Sequence, residues 1–222
     1  AAEVLHTSRH HGIPGLELDI KHLDVAAIVR DELALVDRMR RDKYETVLRE
    51  LDHVNFINGA ARFTGATTVD VNGETLSSER FVIATGSTAT VPTIPGLREA
   101  GFVTNIEALR LERLPKSLVV IGAGPLGLEF SQLLSRFGVS VTVLQRPTSV
   151  FPHTEPVLAQ RLTEILQREG INIVSGIQVN AVTISGGHKR VAYEVYGHAA
   201  AVEAEAVMLA AGKTANSAGL QL

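Results

Sequence analysis

The chain has 222 residues, of which 45% are hydrophobic and 20% charged, with a net charge of −3. These values are typical of a globular protein of one or two domains, and the absence of a net positive charge argues against a nucleic-acid partner. No apolar run reaches the roughly 20 residues of a membrane helix, so we predict no membrane partner. The opening Ala-Ala-Glu lacks a secretory pattern, which predicts a cytoplasmic location.

The chain contains no cysteine. Disulfides, thiolate metal sites and cysteine nucleophiles are therefore excluded within it. His6, His10 and His11 fall on one side of a predicted helix, and three imidazoles could bind a metal ion. Solvated side chains near a chain end are the simpler interpretation, so we assign neither a metal site nor a catalytic residue.

The first half of the chain predicts helices followed by short strands. Residues 1–9 and 22–51 have helical character, and the apolar residues of the second segment recur at spacings of three and four, which predicts one buried face behind an Asp24 N-cap. Asn72-Gly73 supplies the residues of a type I′ hairpin turn. Residues 81–84 predict a buried strand.

Strands and helices alternate from residue 116 onward. This alternation predicts an α/β fold with a parallel sheet, and a hairpin turning at Gly186-Gly187 predicts an added antiparallel meander. We place the domain boundary at residue 113.

Residues 76–86 also align without gaps with residues 202–212, each an apolar strand ending in Ala-x-Gly. Coincidence is one interpretation, and two copies of one dinucleotide-binding architecture is the other.

Residues 122–127 form the sequence Gly-Ala-Gly-Pro-Leu-Gly, a G-x-G-x-x-G motif between a predicted strand and a predicted helix. Gly122 permits a tight turn, Gly124 lets a diphosphate approach the backbone, and Gly127 lets the helix pack against the sheet. The helix predicted over residues 126–137 presents unpaired N–H groups to phosphates at its start, so Pro125 and Leu126 count among the predicted cofactor-binding residues. The motif therefore predicts a dinucleotide site.

The acidic residue that binds the ribose 2′-hydroxyl of NAD is expected about 20 positions after such a loop. Gln145 and Arg146 stand there instead. An amide does not repel a 2′-phosphate, and the guanidinium can pair with it at about 1.5–3 kcal/mol, so we predict NADPH. A solvated arginine is the alternative.

Glu129 is expected in the first turn of the helix, either as a helix-end acid or in contact with the cofactor.

Several segments together resemble the pyridine nucleotide–disulfide oxidoreductase family, and the resemblance covers nearly the whole chain. The segments that carry it are residues 42–48, 58–63, 83–96, 141–146 and 212–216. The resemblance implies Rossmann-like FAD- and NAD(P)H-binding domains. Residues 1–113 correspond to the later part of the FAD domain, and residues 114–222 correspond to the whole NAD(P)H domain.

The resemblance also implies roles for single residues. Ala60 and Ala61 match positions whose backbone contacts the FAD adenine, and Thr85 and Gly86 match a turn that lies against FAD. Six residues match positions that contact the nicotinamide cofactor, namely Gly122, Gly124, Gly127, Glu129, Arg146 and Gly212.

The chain departs from the family pattern at four places. Pro125 stands where several members have a tyrosine that gates the nicotinamide pocket, and Pro152 stands where some have a second phosphate-binding arginine. Lys213 and Ala215 replace the usual arginine and proline of a Gly-Arg-x-Pro-Asn segment.

The resemblance implies a parent homodimer that passes a hydride from NADPH to FAD and then to a cysteine pair outside this chain. FAD binding by this part of the parent is expected to be weak or absent. The parent's substrate stays open between a metal ion and an organic disulfide. A nucleotide-binding module without reductase function is an alternative of another class.

Overall fold

The computed structural model describes all residues from Ala1 to Leu222. The chain forms two compact units: unit A comprises residues 1–29 and 89–212, and unit B comprises residues 30–88 and 213–222. The predicted boundary at residue 113 separates an FAD-binding part from an NAD(P)H-binding part. The division into compact units does not test it, so it stays a prediction. No helix of the structure is long and apolar enough to cross a membrane.

Helices occur in both halves of the chain. The α-helices are α1 (Ala2–Arg9), α2 (Val25–Arg40), α3 (Thr46–Arg49), α4 (Leu97–Ala100), α5 (Asn105–Ala108), α6 (Pro125–Arg136) and α7 (Pro156–Arg168). A π-helical turn joins α2 to α3 at Arg41–Glu45, and a 3-10 turn lies at Ala218–Leu220.

The strands form one four-stranded parallel sheet, two three-stranded antiparallel sheets and one two-stranded sheet. They are β1 (Ala61–Gly65), β2 (Thr68–Val71), β3 (Glu74–Ser77), β4 (Ser87–Ala89), β5 (Ser117–Ile121), β6 (Ser140–Gln145), β7 (Asn172–Ser175), β8 (Ile177–Ser185), β9 (His188–Val195), β10 (His198–Ala204), β11 (Ala206–Leu209) and β12 (Lys213–Ala215).

The core of unit A is a four-stranded parallel sheet of order β11-β5-β6-β7. Residues 118–121 of the central strand β5 are continuously apolar and buried, as expected for a strand covered on both faces. The predicted α/β fold with a parallel sheet is therefore confirmed.

The two faces of this sheet are covered by different layers. Helices α6 and α7 cover one face, where Leu128, Leu134 and Leu166 pack with Val120 and Val143. The antiparallel meander β10-β9-β8 covers the other face, where Val182 and Val191 pack with Val119, Leu144 and Val207.

Both predicted hairpin turns are confirmed. In unit B, Val71 pairs with Glu74, and the two residues between them, Asn72 and Gly73, have φ of 57° and 88°. Two positive φ values in a two-residue loop define the type I′ turn. In unit A, Ser185 pairs with His188 across Gly186-Gly187.

The long helix predicted over residues 22–51 is present as one continuous helical segment over residues 25–49 with a π-helical turn inside it, and it is largely uncovered. Asp24 accepts a hydrogen bond from the Ala27 N–H at 2.9 Å, which confirms the N-cap. The predicted burial of one face is wrong, because Val29 is buried while Tyr44 is 65% exposed. Amphipathic spacing marks a face that can be buried, and only a packed neighbour buries it.

The strand predicted over residues 81–84 is also wrong, because these residues pair with no strand. Val82 is 94% exposed, whereas Met208, at the aligned position of the matching segment, is 0% exposed. Met208 lies in β11, which is hydrogen-bonded to β5. The same apolar pattern is therefore buried only where a neighbouring strand is present.

A partly buried ion-pair network joins α1, α6 and the end of α7 within unit A. The guanidinium of Arg136 donates two hydrogen bonds to Glu169, at 2.9 and 3.0 Å, and a third to Glu3. Gln132 donates to the same Glu169 carboxylate at 2.8 Å. Burial acts to raise the pKa of Glu169, but the hydrogen bonds from Arg136 and Gln132 outweigh it and lower the pKa below its ordinary value.

We predict that Glu169→Gln lowers the melting temperature at pH 7 and flattens its fall in acid. A carboxyl group whose pKa is depressed by folding stabilises the protein above the unfolded pKa of about 4.3, and the stabilisation is lost as the pH falls below that value. Melting temperatures of both proteins between pH 7 and pH 3 test this. Glu194→Gln, at an exposed position of β9, is the control. Parallel pH curves for Glu169→Gln and the unsubstituted protein would contradict the assignment.

Candidate functional site

Three segments meet at the carboxyl edge of the parallel sheet in unit A. Strands β11, β5 and β6 are parallel neighbours, so the residues that follow them share one edge. The segments are Gly122–Gly127 after β5, Arg146 after β6, and Gly212 beyond β11. The crevice outside the carboxyl ends of parallel strands is where open α/β sheets bind ligands.

The three glycines of the loop differ in what surrounds them. Gly122 has φ of +111°, and a Cβ there would lie 2.4 Å from the Ala210 carbonyl oxygen. A Cβ on Gly127 would lie 2.1 Å from the Gly122 carbonyl oxygen. A Cβ on Gly124 would meet nothing within 4 Å. Two glycines therefore serve internal packing, whereas Gly124 borders open space.

Helix α6 begins at this loop without a side-chain cap. Gly124 is the N-cap, and Pro125 is the first helical residue. Because no side chain accepts from the first turn, its N–H groups remain available to an anion. Leu126 and Gly127 lie in this first turn, so the loop residues predicted to bind phosphate stand together.

Gln145 lies at the end of β6 and points toward the loop. Its side chain is buried, and its Oε1 accepts a hydrogen bond from the Ala123 N–H at 2.8 Å. Its Nε2 donates to the Ser149 carbonyl oxygen at 3.3 Å. Sequence reasoning considered Gln145 only as the absence of a carboxylate and missed both partners, because neither follows from a local pattern.

Arg146 is exposed and has no ion-pair partner within the chain. It follows Gln145 directly, so its backbone leaves the sheet at the same edge as the loop. An unpaired guanidinium at this edge can meet a phosphate or another anion.

Glu129 and Gly212 complete the predicted set in unit A. Glu129 is exposed, but its predicted placement in the first helical turn is wrong, because α6 starts at Pro125 and its first turn has no acidic residue. The helix-end role is therefore unsupported. Gly212 has φ of +115°, and its carbonyl oxygen accepts from the Thr90 N–H at 3.0 Å.

The residues predicted to contact FAD lie in unit B. Gly86 has φ of +73°, and its carbonyl oxygen accepts from the Asn216 N–H at 3.0 Å. The Thr85 carbonyl oxygen accepts from the Asn216 side chain at 3.1 Å. Ala60 and Ala61 are exposed at the start of β1. Asn216 thus fixes the 85–86 turn, and the contacts of all four residues with FAD stay predictions.

The histidines near the start of the chain interact with each other. The rings of His6 and His10 stack with centroids 4.5 Å apart. The structure contains no group of three or more histidine, aspartate or glutamate side chains arranged to hold a metal ion.

Comparison with known proteins identifies the family. The family described as pyridine nucleotide-disulphide oxidoreductase matches residues 4–222. The chain therefore belongs to this family, whose members bind FAD and pyridine nucleotides.

Curated relatives include mercuric reductases and a lipoamide enzyme. The chain is 33% identical over 222 residues to mercuric reductase of Bacillus cereus, covering 100% of this chain and 35% of that protein. It is 34% identical to mercuric reductase of Lysinibacillus sphaericus, of which it covers 40%. It is 35% identical over 172 residues to dihydrolipoyl dehydrogenase of Acholeplasma laidlawii, covering 76% of this chain and 50% of that protein. The chain thus spans half or less of these relatives.

Solved structures show the same fold. The HOCl-induced flavoprotein disulfide reductase RclA of Escherichia coli superimposes with a TM-score of 0.80 at 23% identity, over 98% of this chain and 47% of that one. This likeness supports the Rossmann-like fold predicted from the sequence.

We predict that Gly127→Ala destabilises the protein and that Gly124→Ala does not. The added methyl group at residue 127 collides with the Gly122 carbonyl, at a cost of about 1–3 kcal/mol or more, which exceeds the roughly 1 kcal/mol that alanine gains in a helix. Residue 124 has φ of −76° and open space. Urea unfolding of both variants measures the difference, and equal stabilities would contradict the packing described here.

Proposed function

We propose that this chain is the nicotinamide-dinucleotide-binding part of a flavin-dependent disulfide oxidoreductase, accompanied by part of its flavin domain. The observation that carries the proposal is the uncapped start of α6 beside Gly124, where no protein atom would contact an added Cβ. A diphosphate at this position meets backbone N–H groups and the positive end of the helix dipole. The site residues in unit A are Gly122, Gly124, Pro125, Leu126, Gly127, Glu129, Gln145, Arg146 and Gly212.

The dinucleotide that we propose is NADPH. Arg146 is exposed and unpaired beside the loop, and no carboxylate follows β6 at the position that would repel a 2′-phosphate. A guanidinium can contact such a phosphate with two parallel hydrogen bonds.

The chain's own residues bind and orient cofactors, and we assign no catalytic residue among them. When bound, NADPH supplies a hydride and FAD accepts it, which is the chemistry of the cofactors rather than of side chains. We propose that Ala60, Ala61, Thr85 and Gly86 contact FAD in the parent enzyme, and that unit B by itself retains FAD weakly or not at all.

The parent that we propose is a mercuric reductase, in which Hg(II) is the substrate. Relatives with that name, at 33% and 34% identity along the full length of this chain, support the proposal. The dihydrolipoyl dehydrogenase relative supports a second candidate that acts on an organic disulfide. Arg146 disfavours an NAD-linked enzyme of that kind. The homodimer and the cytoplasmic location stay predictions.

We predict that Arg146→Glu weakens NADPH binding about ten- to a hundredfold and leaves NADH binding unchanged or stronger. The change removes the charge-assisted bonds to the 2′-phosphate and adds repulsion, whereas NADH has no such phosphate. Fluorescence titration with each dinucleotide measures both constants. Arg98→Glu, at another exposed arginine, controls for net charge. A parallel loss of NADPH and NADH affinity would rule out the 2′-phosphate contact.

We also predict that the isolated chain shows no mercury-dependent oxidation of NADPH. The chain contains no cysteine, so it has no dithiol to receive electrons or to bind Hg(II). The assay follows the absorbance of NADPH with added FAD and Hg(II), beside a full-length mercuric reductase as positive control. Mercury-dependent NADPH oxidation by the isolated chain would overturn the proposal that this chain binds cofactors while the dithiol lies elsewhere in the parent enzyme.

A further inference from the structure

We infer that Gln145 is a positioning residue that links the glycine-rich loop to the segment carrying Arg146 and so sets the spacing between the two parts of the dinucleotide site. Gln145 holds the loop whether or not a ligand is bound. Its effect on dinucleotide affinity rests on the proposed function. Gln145 does this with the two ends of one side-chain amide.

The first end holds the loop. Ala123 is 0% exposed, so water cannot satisfy its N–H, and the only acceptor is Gln145 Oε1 at 2.8 Å. A buried N–H that loses its acceptor destabilises the conformation that buried it. The neighbouring Gly122 N–H bonds to the Leu144 carbonyl oxygen at 2.9 Å, so two successive loop amides are tied to the end of β6.

The second end holds the turn after β6. Gln145 Nε2 donates to the Ser149 carbonyl oxygen, and the Gly176 N–H donates to the Pro147 carbonyl oxygen at 2.8 Å. Arg146 lies between these tethers. The exposed guanidinium therefore extends from a backbone that is fixed on both sides.

This arrangement explains why an amide suits the position. Oε1 and Nε2 each already have one protein partner, so we infer that Gln145 acts by holding the loop and the turn. A glutamate in its place would keep an acceptor for Ala123 but would have no donor for the Ser149 carbonyl. A methionine would have a similar length and neither function.

Gln145→Met is the main test, with Gln160→Met on the exposed face of α7 as the matched control. We expect the Ala123 amide to exchange hydrogen at least about tenfold faster, as measured by NMR, while amides in the centre of β5 keep their rates. We also expect NADPH affinity to fall about tenfold, and at least as much as NADH affinity, because both the loop and Arg146 lose their placement.

Gln145→Glu tests the two ends of the side chain separately, because it keeps the acceptor for Ala123 and removes the donor to Ser149. It also provides the test if Gln145→Met does not fold. Because the acceptor is kept, the Ala123 amide should stay as protected as in the unsubstituted protein. Faster exchange in Gln145→Glu, unchanged exchange in Gln145→Met, or a loss confined to NADH would overturn the inference, since the last result indicates direct ribose contact. If the unsubstituted chain binds neither dinucleotide, the proposed function fails, and the exchange rates still decide the role of Gln145.

Discussion

The contact between Gly127 and the Gly122 carbonyl is the constraint on which the site depends. The position of a Cβ on Gly127 is 2.1 Å from that oxygen, so only a residue without a side chain lets α6 start this close to the end of β5. The close start points the first turn of the helix at the edge of the sheet. A helix displaced by one methyl group would aim its N–H groups elsewhere.

Two layers close the hydrophobic core around the parallel sheet. Helices cover one face and the β8–β10 meander covers the other, so the sheet is buried on both faces. The apolar strands need both covers. The faces of the sheet are thus occupied by the hydrophobic core, and the candidate site lies at the carboxyl ends of its strands, where the loop residues determine its chemical character.

Sequence reasoning succeeded where the signal is local. Asn72-Gly73, Gly186-Gly187 and the 122–127 motif each determine their own backbone conformation, since the residues that must adopt positive φ or pack closely are in the motif itself. The parallel sheet followed from the alternation of apolar strands and helices. The parallel sheet, the 122–127 motif and the Gly186-Gly187 turn belong to unit A, whereas Asn72-Gly73 belongs to unit B.

Sequence reasoning failed where the outcome depends on a distant neighbour. Val82 and the apolar face of α2 have the spacing of buried residues, yet burial requires another element beside them, and none covers them. Ala123, the loop residue whose N–H bonds to Gln145, lies 22 residues earlier in the chain, and no spacing rule indicates this pair. Glu129 lies one residue beyond the first turn, because α6 begins at Pro125 and not at the predicted Leu126.

The exposure of Arg146 limits what its charge alone can contribute to cofactor choice. An exposed ion pair contributes at most about 1 kcal/mol in most proteins, because water screens it and the long side chain loses conformational freedom. Discrimination beyond that requires the guanidinium to be held near its target before binding, which lowers the entropic cost of the contact. The short, doubly tethered turn from Gln145 to Ser149 provides this restraint at the backbone. In the proposed NADPH site, selectivity therefore rests on the buried neutral amide of Gln145 as well as on the positive charge of Arg146.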